Sequence, residues 1–294
     1  MTDTHRPAVR AALRIAEDAT TAWHRVRGPH QPDALIGTVA LLALERRIHL
    51  NRDDHGAALL VLTPEQFGTW MRGAWANVWL HQPDRVSVAA PLWRWLEQDP
   101  DARTLEACHA TMTASVQAGL LDRYVPTMRH DADLLGYLLQ DVHTRGARSA
   151  GGVFHTPADM AELLARLVGI GSSSDHVAAT FSDPVAGTGE LARAAAETLR
   201  NAGRSSADVL WFLNDRDEVA SACAAVNSIL WDLGPSVLIG SSDIITDPAW
   251  EESAAENARS AFAHRDMLVD NARLVLATRD LLNLVGAGPV GAGK

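Results

Sequence analysis

The sequence predicts an α-helical N-terminal domain followed by an α/β Rossmann-like domain with a parallel sheet. Apolar residues recur at spacings of three and four through residues 5–147, which is the period of amphipathic helices. Beyond them, three short apolar runs, at 177–183, 208–215 and 236–243, are separated by helical stretches. Strands that alternate with helices indicate right-handed βαβ units and therefore a parallel sheet.

The pattern changes at a small, polar segment, "RGARSAGG" (145–152), which is typical of a linker. We therefore expect a helical bundle domain over 1–150 and an α/β domain with a C-terminal helix over 151–285. Residues 286–294 are expected to form a flexible tail. Residues 251–285 carry no strand signal and predict one long helix or two. A three-stranded sheet would leave an exposed edge, which this helix, a homodimer mate or a partner subunit is expected to cover.

The composition of the 294 residues narrows the functional class. Residues 1–150 hold 16 basic against 17 acidic residues, and residues 151–294 hold 10 basic against 19 acidic residues. The acidic second half argues against DNA binding by that half alone, because phosphate binding needs cationic side chains. The first half could carry a basic face, so DNA stays a candidate partner.

The same composition predicts the cellular compartment of the protein and the lack of a membrane span, a disulfide framework and a metal site. No apolar run is long enough to cross a bilayer, and the N-terminus lacks the core of a signal peptide. Cys108 and Cys223 lie far apart and suggest no disulfide framework, so we expect a cytoplasmic protein. The twelve histidines show no metal-ligand spacing, so no metal site is expected.

The stretch "ATFSDPVAGTGELARAAAETLRNAG" (179–203) joins the first predicted strand to a helix through a glycine loop. A nucleoside triphosphate would require Gly-Lys-Ser/Thr, which the chain does not contain. A dinucleotide would require G-x-G-x-x-G, and this loop lacks the third glycine. Asp183 and Glu190 flank the position of a pyrophosphate and would repel it. The loop therefore favours a cationic ligand.

S-adenosylmethionine (SAM) carries a positive sulfonium and an α-ammonium, which a carboxylate at Asp183 would attract. Gly187 and Gly189 would let the backbone approach the ligand without a Cβ in the way. In open α/β sheets, ligands bind at the carboxyl ends of the strands. We therefore expect Asp215 to accept hydrogen bonds from the ribose hydroxyls and Asp243 to accept from the exocyclic amine of adenine.

Four segments resemble successive motifs of adenine-N6 DNA methyltransferases, of the kind found in modification subunits of type I restriction systems. These are "GGVFHTPADMAELLARLV" (151–168), "FSDPVAGTGELARAA" (181–195), "WFLNDRDEVASACAAVN" (211–227) and "SSDIITDPAW" (241–250). The likeness covers roughly residues 131–250 and implies a Rossmann-like SAM-dependent methyltransferase domain.

The resemblance also implies roles for particular residues. It implies that Phe154, Thr156 and Pro157 lie near the methionine moiety of SAM, that Asp215 binds the ribose and that Asp243 meets the adenine ring. It also implies that a loop wraps the amino-acid end, formed by Asp183, Pro184, Ala186, Gly187, Thr188 and Gly189. Two positions depart from the family pattern. Ala186 stands where cysteine is usual, and Asp215 replaces the commoner glutamate.

The catalytic motif of that family is not evident. Adenine methylation uses an (Asn/Asp)-Pro-Pro-(Tyr/Phe/Trp) loop after the fourth strand, and no Pro-Pro occurs in this sequence. The nearest candidate is a degenerate loop formed by Asp247, Pro248 and Trp250. It directly follows the third strand, so the interpretation as a connector between elements is favoured over the catalytic one.

Two functions follow from these residues. The first is a SAM-binding protein of the adenine-N6 DNA methyltransferase family, which transfers a methyl group to DNA adenine if it is catalytically complete or is completed by a partner. The alternative is a non-catalytic SAM-binding subunit with a regulatory or structural role, which contacts protein or DNA.

Overall fold

The structure is a computed structural model that describes residues 7–29, 32–49, 55–145, 156–167 and 179–286. Its first half is helical. The helices are α1 (Pro7–Arg25), α2 (Pro32–Ile48), α3 (His55–Leu60), α4 (Pro64–His81), α5 (Pro83–Val88), α6 (Ala102–Gln117), α7 (Val125–Met128), α8 (Leu134–Arg145) and α9 (Ala158–Leu167). Short 3₁₀ and π turns at Ala90–Leu92, Arg94–Gln98 and Leu120–Tyr124 connect them.

Side-chain caps mark the start of two of these helices. At α4, the hydroxyl of Thr63 accepts from the backbone N–H of Gln66 at 3.3 Å, and the Gln66 side chain accepts from the Thr63 N–H at 2.9 Å. This reciprocal capping box satisfies N–H groups that a helix leaves free. At α6, Asp101 accepts from the Thr104 N–H at 2.7 Å. Local sequence therefore sets these helix boundaries.

The second half contains a small parallel sheet. Its elements are β1 (Ala179–Asp183), α10 (Glu190–Asn201), β2 (Val209–Asn214), α11 (Glu218–Leu230), β3 (Val237–Gly240) and α12 (Trp250–Gly286). The strand order is β1-β2-β3, and both pairs are parallel. The predicted parallel α/β arrangement is therefore present, and each strand lies inside the apolar run that predicts it.

The two faces of the sheet differ in burial. Phe181 pairs in register with Trp211, and Trp211 with Val237, so these side chains share one face. Trp211 is fully buried there, and its ring centroid lies 5.1 Å from that of Phe181. Leu210 points to the opposite face and is 41% exposed. The sheet is thus covered on one face and partly open on the other.

The buried core is continuous across the two halves. Helices α2, α5 and α8 all pack against α11, and one cluster of buried apolar residues runs from α1 to β3. The proposed division into two domains at residue 150 stays a prediction. The proposed linker is described only at Arg145, and the tail only at Gly286.

Residues 250–286 form a single helix rather than two. Its first half packs against α5 and β3, so the C-terminal helix covers the β3 side of the sheet. Farther along, the side chains of Leu274 and Val275 are 66% and 67% exposed. Within the described ranges, β1 pairs only with β2.

The described residues include both cysteines and lack a membrane-spanning helix and a metal-ligand cluster. None of their helices combines the length and apolarity that a bilayer crossing requires. No group of three or more His, Cys, Asp or Glu side chains among them is placed to hold a metal ion. Cys108 and Cys223 are both buried free thiols, and burial raises the pKa of Cys108 to about 12.

Candidate functional site

The glycine loop between β1 and α10 is tied to the end of β2. The Ala186 N–H donates to the backbone carbonyl of Asn214 at 2.7 Å, and the Gly189 N–H donates to the Ala186 carbonyl at 2.8 Å. Gly187 and Gly189 have φ of 56° and 96°, in the left-handed region that side chains with a Cβ disfavour. The loop therefore requires glycine at these two positions. The close approach of a ligand to them, which the sequence predicts, stays a prediction.

Gly189 is also held by packing. A Cβ at this position would lie 3.2 Å from the ring of Trp231, which follows α11 and is buried. At Gly187, by contrast, a Cβ would meet no atom within 4 Å. Gly189 thus packs the loop onto the protein, whereas Gly187 leaves its outer side open.

Asp183 and Asp215 form a pair of neighbouring acids at this loop. Asp183 is only 7% exposed, and one of its oxygens accepts from the Val185 N–H at 3.1 Å. Burial raises the pKa of the Asp183 carboxyl, the Val185 hydrogen bond partly offsets the rise, and the charge of Asp215 adds to it. No basic side chain of the described segments forms an ion pair with either acid.

Asp215 supports the loop directly. Its two oxygens accept from the Gly187 N–H at 2.8 Å and from the Asp217 N–H at 2.9 Å. A carboxylate has about four lone-pair positions, so each oxygen keeps one for a further donor. Asp215 can therefore hold the loop and still accept hydrogen bonds from a ligand.

Asp243 follows β3, at the same edge of the parallel sheet as Asp183 and Asp215. One of its oxygens accepts from the Ile245 N–H at 3.0 Å, and the other lies 3.9 Å from the guanidinium of Arg216. Arg216 directly follows Asp215 in the chain, so this arginine relates the acid after β2 to the acid after β3. The charge of Asp215 thus acts on Asp183, whereas the charged neighbour of Asp243 is Arg216.

Asn214, the last residue of β2, connects this strand to the segments that follow β1 and β3. The sequence alone does not predict this role. The side-chain N–H group of Asn214 donates to the carbonyls of Pro184 at 3.1 Å and Ser242 at 2.9 Å, and its carbonyl accepts from the Ser242 N–H at 3.1 Å. An amide offers both donors and an acceptor, which this position uses. The signal available in the sequence is a polar residue at the buried end of an apolar run, next to Asp215.

Asp133 was missed as well. It precedes α8 in the helical half, yet its carboxylate accepts from the hydroxyl of Thr188 in the glycine loop. It also accepts from the side chain of Asn227 on α11 at 2.9 Å. Its position before a helix predicts only a cap, so no pattern in the sequence indicates this contact.

The segment that contains these features matches one known family. Residues 131–271 match the family described as N-6 DNA Methylase. We call this stretch, just under half of the chain, the N-6 DNA methylase segment after the family that it matches. No curated protein and no solved structure was found to match the chain.

The N-6 DNA methylase segment includes the residues expected near the methionine moiety. Thr156 is half-buried and Pro157 exposed, directly before α9. Phe154 lies outside the described residues. Within the described ranges, the side chain of Thr156 makes no hydrogen bond to the glycine loop, and proline has no side-chain group that could make one. Their roles stay predictions.

The candidate catalytic residues of the N-6 DNA methylase segment lie where α12 begins. Asp247 donates its backbone N–H to the Asp243 carbonyl at 2.8 Å, and Pro248 is exposed. Trp250 is only 6% exposed, and its ring lies 2.9 Å from where a Cβ on Gly240 would be. Asp247 and Trp250 also line a cleft of about 520 Å³ between α5, β3 and α12. These residues connect β3 to α12, so their catalytic role stays a prediction.

Proposed function

We propose that this protein binds S-adenosylmethionine at the glycine loop. One observation carries the proposal: Asp183 is buried beside Asp215, and neither has a cationic partner in the described part of the chain. A buried charge is costly unless it is paired. An anionic ligand would add to the repulsion between the carboxylates of Asp183 and Asp215, whereas a ligand with an ammonium and a sulfonium would relieve it.

The residues present fit this cofactor. Asp183 would attract its cationic end, and the open outer side of Gly187 would let the backbone approach it. Asp215 keeps lone pairs for the ribose hydroxyls, and Asp243 is available for the adenine amine. The expected roles of Pro184, Ala186, Thr188 and the segment around Thr156 belong to the same proposal. When bound, the cofactor supplies an electrophilic methyl group on its sulfonium.

We further propose that the methyl acceptor is N6 of adenine in DNA and that another chain completes the catalytic site. The match of residues 131–271 to the N-6 DNA Methylase family supports this acceptor. The sequence contains no Pro-Pro, and a buried Trp250 cannot present its ring to an extruded base without leaving Gly240. The assignment to a type I restriction-modification subunit rests on the sequence motifs alone.

The burial of Trp250 also favours the second candidate, a non-catalytic SAM-binding subunit that contacts a partner protein or DNA. The two functions share the cofactor and differ in whether methyl transfer occurs. They are therefore tested in sequence, binding first and transfer second.

Titration calorimetry on the full chain tests binding. We expect SAM to bind, S-adenosylhomocysteine to bind more weakly because it lacks the sulfonium charge, and ATP not to bind. Glu252→Gln, at an exposed acid on α12, serves as the control and should leave binding unchanged. Binding of ATP in place of SAM would refute the proposal.

Transfer of a labelled methyl group from SAM to adenine-containing DNA tests the reaction. We expect no transfer by the isolated chain and transfer when a protein with an (Asn/Asp)-Pro-Pro-(Tyr/Phe/Trp) loop is added. Transfer by the isolated chain that Trp250→Phe retains and Trp250→Ala loses, with SAM binding intact in both, would establish the degenerate loop instead. Absence of transfer under every condition would favour the non-catalytic subunit.

A further inference from the structure

A buried acid of the helical half reaches into the glycine loop of the α/β half. Asp133 is 1% exposed and directly precedes α8. One oxygen accepts from the Gly136 N–H at 2.8 Å and from the Asn227 side chain at 2.9 Å. The other oxygen accepts from the hydroxyl of Thr188. A carboxylate with three donors is well compensated for its burial.

Thr188 lies between the two glycines with positive φ, so its position determines the course of the loop. Asp133 holds its side chain, and Asn227 donates to its backbone carbonyl at 2.9 Å. Asn227 also contacts Asp133, which closes a three-residue network across α8, the loop and α11. The hydroxyl and the carbonyl of one loop residue are thus both held by buried partners.

A capping role explains only part of this arrangement. Asp133 caps α8 through the Gly136 N–H, and a cap needs one oxygen and no burial. Asp101 caps α6 through Thr104 alone, without reaching another part of the fold. The second oxygen of Asp133 is used on Thr188, where it acts on the loop rather than on its own helix.

We propose that Asp133 is a positioning residue for the cofactor loop, so that the helical half controls the SAM affinity of the α/β half. This inference rests on the proposed SAM binding. A flexible loop must be ordered when it binds, and a loop that is already held avoids that cost. Asp133 lowers the cost by fixing Thr188, and with it the backbone of Gly187 and Gly189.

Two substitutions separate positioning from capping. Asp133→Ser keeps a good helix cap but is too short to reach Thr188. Asp133→Asn keeps the length and one accepting oxygen, and its NH2 group can donate to the Thr188 hydroxyl in place of the bond that Asp133 accepts. We expect Asp133→Ser to weaken SAM binding by about 10-fold or more, the equivalent of one or two lost hydrogen bonds. Asp133→Asn should stay within roughly 3-fold of the wild type.

Asp101→Ala is the matched control, because it removes an aspartate cap whose hydrogen bonds go to Thr104 and not to the loop. It should lower the melting temperature without changing SAM affinity. Hydrogen exchange in the unliganded proteins gives an independent measurement. Exchange of the amides of residues 185–189 should rise in Asp133→Ser and stay unchanged in Asp101→Ala.

The outcomes separate this inference from the proposed function. If the wild type does not bind SAM, the proposed function fails, and the exchange of the loop amides still tests the positioning. If Asp133→Ser binds SAM as tightly as the wild type, or leaves loop exchange unchanged, the positioning role is refuted. Should Asp133→Ser not fold, loop exchange in unliganded Thr188→Val and Thr188→Ser gives the same contrast, because only serine keeps the hydroxyl that donates to Asp133.

Discussion

At Asp183, the charge that would bind a cationic ligand lowers the stability of the unliganded fold. The pKa of Asp183 is raised by burial and by Asp215, so the carboxyl is held in the fold more easily when protonated. A group whose pKa is raised in the folded state stabilises the fold at low pH, and this stability is lost as the pH rises through the raised pKa. Above the raised pKa of Asp183, the unliganded protein therefore carries an unfavourable charge at its candidate site, a common cost of a binding function.

We predict that Asp183→Asn raises the melting temperature of the unliganded protein at pH 7 and weakens SAM binding roughly 10- to 100-fold. The first effect follows from loss of the buried charge, and the second from loss of a charge-assisted contact of about 1.5–3 kcal/mol. Calorimetric melting and titration measure both. The melting difference should vanish below the ordinary pKa of 3.8. A lower melting temperature at pH 7 would contradict the assignment of Asp183 as an uncompensated charge.

The two loop glycines differ in what surrounds them, and alanine substitutions should show it. Gly187→Ala should destabilise by about 1–2 kcal/mol, since only the left-handed backbone opposes it. Gly189→Ala should cost more, because its Cβ would also lie 3.2 Å from Trp231. Gly187→Asn should be tolerated better than Gly187→Ala. Urea unfolding measures all three, and equal losses for the two alanines would contradict the packing role of Trp231.

At the scale of elements, an ion cluster joins the helical half to the end of α11. Asp232 accepts from Arg129 at 2.9 Å and pairs with Arg47 on α2, and His130 lies 3.3 Å from its carboxylate. Burial opposes the charge of Asp232, but Arg47 and Arg129 hold its pKa below the ordinary value. Burial and the charges of Arg129 and Arg200 lower the pKa of His130 to about 4.

This cluster predicts how stability depends on pH. A depressed pKa in the folded state gives stability that is present above the ordinary pKa and lost as the pH falls through the depressed one. For His130 the window runs from about 6.5 down to about 4. We expect the free energy of unfolding to fall across it and His130→Gln to flatten that fall. His143→Gln, at a histidine outside the cluster, should leave the profile unchanged, and an unchanged profile in His130→Gln would refute the assignment.

At the scale of the whole molecule, the continuous core predicts cooperative unfolding. Buried residues of α2 and α11 belong to one cluster, and Arg85 on α5 donates to the Gly234 carbonyl at 2.6 Å. Elements that share buried apolar surface tend to open together. We expect the amides of α2 and α11 to exchange with the same urea midpoint in hydrogen-exchange mass spectrometry. An earlier midpoint for α11 would show that the two halves unfold as separate domains.

The sequence by itself determined the features that depend on near neighbours along the chain. Apolar runs ending in Asp183 and Asp215 predict the strands, because a strand buried on one face or both needs consecutive or alternating apolar residues. Gly187 and Gly189 predict the loop, since few other residues adopt positive φ. These features need no knowledge of the rest of the fold.

Only the tertiary structure decided which distant groups meet. It placed Asp133 against Thr188, joined Asn214 to Pro184 and Ser242 at the neighbouring strand ends, and buried Trp250 on Gly240. A polar side chain shows its residue type in the sequence but not its partner, which can lie dozens of residues away. Burial decides how strongly such contacts matter, because an unpaired polar group is costly only where water is excluded. Burial is a property of the packed chain, so the tertiary structure supplied it.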